Sequence, residues 1–220
     1  MSHFNSEKQP APSTFYLVRH GQSETNAISE AGKVQDPSLW NESDLTALGI
    51  QQAEFLAAKL QNTNFDAIFS SDFRRAHRTA EIIATGRGIE IATSERLRES
   101  SAGNLHQIYS DQNSDTWKSF SRLTEQEKAA LKINGMAESF NEAALRFLSF
   151  VSELVSIYPG SSILIVSHGA LMKSFLMKVG YGSFEDFPKG SIENTGYAIV
   201  EGDGHNFHVR NVSGIHKGKK

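Results

Sequence analysis

Two stretches of the sequence each place a histidine and a glycine directly after an apolar run. "FYLVRHG" ends in Arg19, His20 and Gly21, and "SILIVSHG" ends in His168 and Gly169. Each run is short and rich in β-branched or aromatic residues, which predicts a buried strand. Because ligands of open α/β folds bind where the carboxyl ends of parallel strands meet, we expect the two histidines to face each other at that edge.

A third stretch, "AIFSSDFRRA", predicts another strand that ends at the same edge. The strand ends at Ser70 and Ser71, Asp72 is a natural N-cap for the next helix, and Arg75 lies in its first turn. Helical side chains lean toward the helix N-terminus, so Arg75 can reach back over the sheet edge. Two histidines and two arginines then converge, and helices that start after Asp72 and Gly169 add N–H donors. This combination suits a phosphate.

Each of these residues also has a simpler explanation when it is taken alone. A histidine at a strand end is most often structural or exposed, Arg75 lies in an arginine-rich run typical of a solvated helix face, and Arg19 can simply close a sheet edge. The repeated pattern favours a site, since several cations with no carboxylate in the same motifs are unfavourable without an anion. A metal site with His20 and His168 as ligands is disfavoured, because no carboxylate partner is evident and the arginines would repel a cation.

The composition limits the class of protein and its partners. The chain has 220 residues, no cysteine, 22 Lys plus Arg against 25 Asp plus Glu, a formal net charge of -3 and a pI near 6.2. This balance disfavours a nucleic-acid or anionic-membrane surface, and disulfides are excluded. No apolar run approaches the ~18 residues of a transmembrane helix, and residues 1–13 lack the pattern of a signal peptide. We therefore expect a cytoplasmic protein, and the sequence leaves its oligomeric state open.

Strand patterns alternate with helical patterns along the chain. Thr46 is a plausible N-cap for a helix over 47–60, and Ser139 with Glu142 forms a capping-box pattern before a helix over 140–158. Strands are predicted at 14–18, 67–69, 89–92 and 162–166. Alternation of this kind predicts a three-layer α/β/α fold with a mostly parallel central sheet.

The pattern indicates a single domain with one insertion. We expect the domain over 14–215, between a flexible segment at 1–13 and a loose tail at 216–220, and a β-hairpin that turns at 202–204. Residues 100–137 are polar and irregularly helical. They are interpreted either as a substrate lid over one sheet edge or as a helical pair that completes the fold.

Several motifs occur together in a fixed order. "LVRHGQSETN" is followed by "ESDLTALGIQQA", "IFSSDFRRAHRTAEII", "RLRES", "AESFNEAALRF" and "IVSHGAL", from Phe15 to Leu171. The first resembles the signature of the histidine phosphatase superfamily, in its phosphoglycerate mutase-like branch. The others are similar to the later blocks of that family. The resemblance implies the family's α/β fold and a small-molecule phosphate ester as the substrate, with no cofactor and no metal.

The resemblance also implies roles for particular residues. His20 would attack phosphorus and form a phosphohistidine, and Glu99 in "RLRES" would be the proton donor. The phosphoryl oxygens would be held by the remaining residues of the pocket: Arg19, Ser23, Asn26, Arg75 and His168. These roles agree with the chemistry, because histidine is a competent nucleophile and phosphoryl transfer depends on positioning and charge stabilisation.

Departures from the family pattern bear on the reaction. Cofactor-dependent mutases carry a Phe-Thr-Gly-Trp stretch after the first motif, where this chain has "AISEAGKVQDPSLWNES", and an aromatic residue where this chain has Ala102. These differences favour a metal-independent phosphatase over a phosphoglycerate mutase. A non-catalytic phosphate-binding module is a third interpretation, which Glu99 disfavours because binding alone requires no acid.

Overall fold

The computed structural model describes residues 11–33, 40–100, 115–132 and 138–218, except the side chains of residues 116 and 117. Within these ranges six strands form one sheet. They are β1 Ser13–Arg19, β2 Ala67–Ser70, β3 Ile91–Thr93, β4 Ser162–Ser167, β5 Ile192–Gly202 and β6 Phe207–Ile215. Their order across the sheet is β3-β2-β4-β1-β5-β6.

The sheet is mostly parallel, as predicted. The first four strands run in one direction, with Arg19 of β1 opposite Ser167 of β4 and Ser70 of β2 opposite Val166. Strands β5 and β6 are antiparallel and form the expected hairpin. Strands β1, β2 and β4 therefore end at the same edge, where the sequence places its histidines and arginines.

Helices lie between the strands, and two of the predicted N-terminal caps are confirmed. The helices in the described ranges are α1 Glu24–Glu30, α2 Ala47–Lys59, α3 Arg74–Ala84, α4 Asp115–Ser121, α5 Glu125–Ala130, α6 Phe140–Ile157 and α7 Gly169–Lys178, with a 3-10 turn at Glu95–Leu97. Thr46 accepts the N–H of Gly49 at the start of α2, and Ser139 with Glu142 forms the capping box of α6. None of these helices is long and apolar enough to cross a lipid bilayer.

Alternate residues of the central strands pack into opposite layers. Phe15 and Leu17 of β1 belong to the core that α6 and α7 cover, whereas Val18 belongs to the core that α2 and α3 cover. Strand β4 divides in the same way, with Ile163 on one face and Leu164 on the other. A central strand buried on both faces is typical of a parallel sheet between helix layers, so the three-layer α/β/α prediction is confirmed.

Ordered backbone contacts extend beyond both boundaries of the predicted domain, 14–215. Strand β1 begins at Ser13, whose hydroxyl donates to the carbonyl of Tyr158 over 2.7 Å. The predicted loose tail is fixed at residues 216–218, because the N–H of His216 donates to Ser191 and the N–H of Gly218 donates to Asp186, each over 2.8 Å. Hydrogen bonds to the backbone of distant segments thus order both ends.

Two local predictions were wrong. Strand β3 begins at Ile91 and not at residue 89, after a turn in which Gly88 has a φ of +67°. Helix α3 has Phe73 and not Asp72 as its N-cap, with no side-chain cap. The carboxylate of Asp72 instead accepts two hydrogen bonds from Nε of Arg98 and one from Nη2, at 2.5–3.0 Å. Arg98 thus engages both oxygens of the carboxylate that was expected to cap the helix.

Half of the predicted insertion lies outside the described residues, which omit 101–114 and 133–137. Its described parts include α4 and α5. Phe120 of α4 packs against Phe184, with ring centroids 6.0 Å apart, and Phe184 packs against Phe140 of α6 at 5.0 Å. The choice between a lid and a structural helical pair stays a prediction.

The loop after β1 lies directly against the start of α2. A Cβ atom at Gly49 would lie 2.0 Å from the carbonyl oxygen of Gln22, and one at Gly21 would lie 2.4 Å from the carbonyl oxygen of Gly49. The N–H of Thr46 donates to the same Gln22 oxygen over 2.9 Å. Glycine at both positions therefore permits the contact that fixes the chain immediately after His20.

We expect Gly49→Ala to lower the melting temperature. Alanine normally improves an exposed helix position by about 1 kcal/mol over glycine. Here the added methyl group meets a backbone oxygen that cannot rotate away, and such overpacking typically costs about 1–3 kcal/mol. Glu54→Ala on the exposed face of α2 is the matched control, and thermal unfolding is the measurement. A melting temperature equal to or above that of wild type would show that the loop yields.

Candidate active site

His20 lies at the carboxyl edge of β1 and is almost completely buried, with 3% of its surface exposed. Its Nδ1 atom is 2.7 Å from the carbonyl oxygen of Gly21, and Nε of Arg75 donates to its Nε2 atom over 3.2 Å. Because Gly21 supplies an acceptor and Arg75 a donor, we assign the ring proton to Nδ1. Nε2 of His20 therefore carries the lone pair.

His168 follows β4 and faces His20, as predicted. The two rings are 5.1 Å apart in an edge-to-face arrangement. Nε2 of His168 is 2.9 Å from the hydroxyl oxygen of Ser71, which itself accepts the N–H of Phe73 over 3.3 Å. With the hydroxyl proton of Ser71 donated to Nε2, the ring proton of His168 lies on Nδ1, and we adopt this tautomer.

The two predicted arginines reach the same place, Arg19 from the end of β1 and Arg75 from the first turn of α3. Nη1 of Arg19 donates to the carbonyl of Ile192 over 2.5 Å, while Nη1 of Arg75 donates to the carbonyl of Trp40. A Cβ atom at Gly169 would lie 3.3 Å from Nε of Arg19. Glycine after His168 therefore leaves space beside this guanidinium, which gives a physical reason for the repeated His-Gly pattern.

Two buried nitrogen atoms of the site have no protein partner. Among the described residues, Nε of Arg19 and Nδ1 of His168 are the buried side-chain polar atoms without a hydrogen bond. Leaving a buried donor unsatisfied costs about 1–3 kcal/mol, so such atoms call for an acceptor from outside the chain. Because both lie beside positively charged guanidinium groups, the acceptor that fits is an anion.

Burial and the neighbouring cations keep both imidazoles neutral. The pKa of His20 lies well below 6.5 because of burial first and the charges of Arg75 and Arg19 second. Burial and the same arginines lower the pKa of His168 in the same way. Burial also lowers the pKa of Arg75 to about 10, which leaves it charged at neutral pH. The site thus combines a neutral histidine nitrogen with two fixed positive charges.

Glu99 lies at the start of α7 and supplies the carboxylate that the other motifs lack. Its Oε1 atom accepts the N–H groups of Ser100 over 2.8 Å and Leu171 over 3.0 Å, and its Oε2 atom accepts that of Ala170 over 3.3 Å. Its charge raises the pKa of both Arg19 and Arg75, against the effect of burial. A carboxylate is favourable at a helix N-terminus. The N–H groups of Ala170 and Leu171 thus bind Glu99, where the sequence predicted that they would bind a phosphate.

Ser23 and Asn26 form the first turn of α1. The Ser23 hydroxyl accepts the N–H of Asn26 over 3.3 Å, and Oδ1 of Asn26 accepts the N–H of Ser23 over 3.2 Å. Asn26 Oδ1 also accepts Nδ2 of Asn194, which in turn donates to the carbonyl of His20. Asn26 therefore lies close to the loop that begins at His20, and Ser23 is used as a helix cap. Their role in phosphate binding stays a prediction.

Sequence reasoning missed the residues that orient the histidines. The hydroxyl of Thr79 accepts the N–H of Gly21 over 3.0 Å and donates to the carbonyl of Arg75 over 2.8 Å. Ser71 orients His168, although only its place at a strand end was noted. Thr79 and Ser71 lie in the "IFSSDFRRAHRTAEII" stretch. Because this stretch is one of the motifs quoted for the resemblance, the sequence did offer a signal for them. No sequence pattern marks Asn194, which becomes visible only when β5 is placed beside β1.

No group of three or more His, Cys, Asp or Glu side chains in the described ranges is arranged to hold a metal ion. The fold and the site define an α/β protein with a buried cluster of two arginines and two histidines at the carboxyl edge of the parallel strands. Residues 15–213 match the family model of the histidine phosphatase superfamily (branch 1). The chain belongs to this superfamily.

Known proteins with similar sequences or structures carry more than one kind of name. A probable phosphoglycerate mutase (GpmB) of Yersinia pestis is 33% identical over 170 residues, which cover 73% of this chain and 72% of the relative. The structure of YhfR from Bacillus stearothermophilus has a TM-score of 0.71 at 28% identity and covers 92% of this chain and 97% of its own. A phosphoserine phosphatase from Entamoeba histolytica, solved with 3-phosphoglyceric acid, has a TM-score of 0.71 at 23% identity, with 91% and 96% covered.

The lowered pKa values of the buried histidines predict a loss of stability in acid. The unfolded chain binds protons on these histidines near the ordinary value of 6.5, whereas the folded chain resists protonation until lower pH. The free energy of unfolding therefore falls as the pH drops below about 6.5. In this range we expect the free energy of unfolding of His168→Gln to fall less steeply with decreasing pH than that of wild type. The two slopes should differ by up to about 1.4 kcal/mol per pH unit for the one histidine removed.

Denaturant unfolding at several pH values measures these slopes. His208→Gln is the control, because His208 is exposed on β6 and should leave the slope unchanged. Equal slopes for wild type and His168→Gln would mean that His168 is not held neutral by the fold.

Proposed function

We propose that the chain is a metal-independent phosphatase that hydrolyses small phosphomonoesters through a phosphohistidine at His20. The observation that carries this proposal is the pair of buried, unpartnered donors, Nε of Arg19 and Nδ1 of His168, beside the lone pair of a neutral histidine. Donors of this kind suit the oxygens of a phosphoryl group. Membership of the histidine phosphatase superfamily supports the same chemistry.

In the first step Nε2 of His20 attacks phosphorus. The N–P bond forms as the P–O ester bond breaks, and the bonding electrons leave with the ester oxygen. Histidine can attack because its proton is held on Nδ1 by the carbonyl of Gly21. Arg19, Arg75 and His168 would stabilise the charge on the phosphoryl oxygens during this transfer.

Arg75 has to move before the attack. Its Nε–H group donates to the lone pair of His20 that would form the N–P bond. A bound phosphoryl group offers this guanidinium a charged acceptor, which is a stronger partner than a neutral imidazole. Substrate binding would therefore free the nucleophile and place a cation on the phosphoryl oxygen in one movement.

Glu99 would supply the proton to the departing oxygen. Its Oε1 atom accepts two N–H groups, whereas Oε2 makes only the longer contact of 3.3 Å with Ala170. Oε2 is therefore the oxygen that would take up a proton when the ester binds and pass it to the departing oxygen. In the second step water attacks phosphorus, gives its proton to the same carboxylate, and the electrons of the N–P bond return to His20.

Phosphoglycerate mutase is the second candidate function, favoured by the name of the Yersinia pestis relative. The two reactions share the first step and differ in the acceptor, which is water in a phosphatase and a bound phosphoglycerate in a mutase. The missing mutase stretch after the first motif favours water. A non-catalytic binding module would need neither Glu99 beside the pocket nor a histidine nitrogen kept free of its proton.

Rapid quenching with labelled phosphate esters tests both the mechanism and the acceptor. Wild type should form a phosphoenzyme that is labile in acid and stable in alkali, as expected of an N–P bond, and chelators should not prevent it. The label should be lost in His20→Asn and kept in His208→Gln. Phosphate released to water without a bisphosphate cofactor indicates a phosphatase.

Two results would contradict these expectations. Label on a serine, or on a histidine other than His20, would exclude the proposed intermediate. Negligible hydrolysis together with rapid interconversion of phosphoglycerates would reverse the order of the two candidate functions.

The acid role of Glu99 predicts a dependence on the leaving group. A departing alkoxide needs a proton, whereas an activated phenolate leaves without one, and general acid catalysis typically contributes ~10² to 10⁴-fold. Glu99→Gln should therefore slow the first step by about this factor for alkyl phosphates and much less for activated aryl phosphates. Single-turnover rates are the measurement, since the same carboxylate also acts in the second step.

The matched control is Glu95→Gln. Glu95 lies in the 3-10 turn just before Glu99 in the chain, and its exposed carboxylate pairs with Arg98. It should leave both rates unchanged. An equal loss for alkyl and aryl substrates in Glu99→Gln would show that Glu99 supports the fold or positions the phosphate.

A further inference from the structure

The backbone carbonyl of His20 is held from the neighbouring strand by two donors. Nδ2 of Asn194 donates to this oxygen over 3.1 Å, and the N–H of Thr195 donates to it over 3.2 Å. Both donors belong to the first residues of β5, which is antiparallel to β1. The position of the nucleophile's peptide group therefore depends on a segment that comes near the end of the chain.

The second proton on Nδ2 of Asn194 fixes the side chain of Asn26. Nδ2 donates to Oδ1 of Asn26 over 3.2 Å, and the same oxygen accepts the N–H of Ser23 over 3.2 Å. With two donors on Oδ1, the orientation of the Asn26 amide is determined, and its NH₂ group remains as a donor. Asn194 thus contacts both the backbone carbonyl of His20 and the side-chain amide of Asn26.

The conformation of Thr195 allows both contacts with the His20 carbonyl. Thr195 has a φ of 56°, a left-handed conformation that is unfavourable for a β-branched residue. It lies in the irregular part of β5, where the register shifts between Ile192 and Tyr197. The carbonyl of Ile192 accepts Nη1 of Arg19 in the same segment. Strained backbone of this kind persists where the surrounding contacts determine it, and it clusters at functional sites.

We propose that Asn194 is a positioning residue for the phosphorylation of His20. It sets the peptide group from which the His20 ring projects and presents the Asn26 amide to a phosphoryl oxygen. This inference rests on the proposed function. Since a misplacement of about 1 Å can cost about 10²-fold in rate, loss of these two hydrogen bonds should act mainly on the chemical step.

The test compares Asn194→Ala with wild type in single-turnover phosphorylation of His20. We expect the rate constant at saturating substrate to fall about 10- to 100-fold. Inhibition by inorganic phosphate should weaken by a smaller factor, because Arg19 and His168 remain. Asn194→Asp, which replaces the donor by a carboxylate facing two oxygen acceptors, should lose at least as much as Asn194→Ala.

A double-mutant cycle with Asn26→Ala separates positioning from a general loss of stability. If Asn194 acts partly through Asn26, the double variant should be faster than the product of the two single effects predicts. Glu193→Ala is the matched control, since this neighbouring side chain pairs with His216 and is exposed. It should leave the phosphorylation rate unchanged.

The outcomes distinguish this inference from the proposed function. Wild type that forms no phosphohistidine would overturn the proposed function and the inference with it. A wild type that does form it, with an unchanged rate in folded Asn194→Ala or with fully multiplicative effects in the cycle, would overturn the inference alone. A lower melting temperature with an unchanged rate constant would also overturn it, because that is the result of a purely structural role.

Discussion

The burial of two guanidinium groups against one imidazole is the constraint on which the site depends. Arg19 and Arg75 lose hydration and repel each other, and both lower the pKa of His20. The fold offsets this cost with backbone carbonyl groups, whose oxygen atoms carry partial negative charge. The carbonyl of Ile192 accepts one N–H group of Arg19, and the carbonyl of Trp40 accepts one of Arg75. Glu99 adds a full negative charge nearby. The remaining donors are left for an anion, which completes the neutralisation.

The sheet makes this concentration of charge possible because it delivers each group on a rigid support. Arg19 and His20 lie at the end of β1, His168 lies at the end of β4, and the first turn of α3 places Arg75 beside His20. Backbone support of this kind holds Arg19 and His168 in place for an anion, whereas Arg75 would have to release the ring of His20 to reach it. Close backbone contact at Gly21 and Gly49 holds the loop after His20 in place.

The sequence predicted the parts of this arrangement that depend on local pattern. Apolar runs ending in His20 and His168 were sufficient to place both histidines at one edge, and the Ser139 capping box was sufficient to start α6. Contacts between distant segments were beyond such reasoning. Asp72 was assigned to a helix cap because its partner Arg98 is remote in sequence. Asn194 was overlooked for the same reason, since its role appears only when β5 lies beside β1.

The pairing of β1 with β5 also bears on how the protein acquires its site during synthesis. Strand β1 is synthesised before both of its neighbours, β4 and β5, which are made after residue 161. The apolar strand that ends in Arg19 therefore lacks both native partners until these later segments have been made. Non-local pairing of this kind slows folding and exposes the strand to aggregation. It also means that a chain cut short before Ile192 retains the motif of the family but lacks the carbonyl that holds Arg19 and the amide that holds His20.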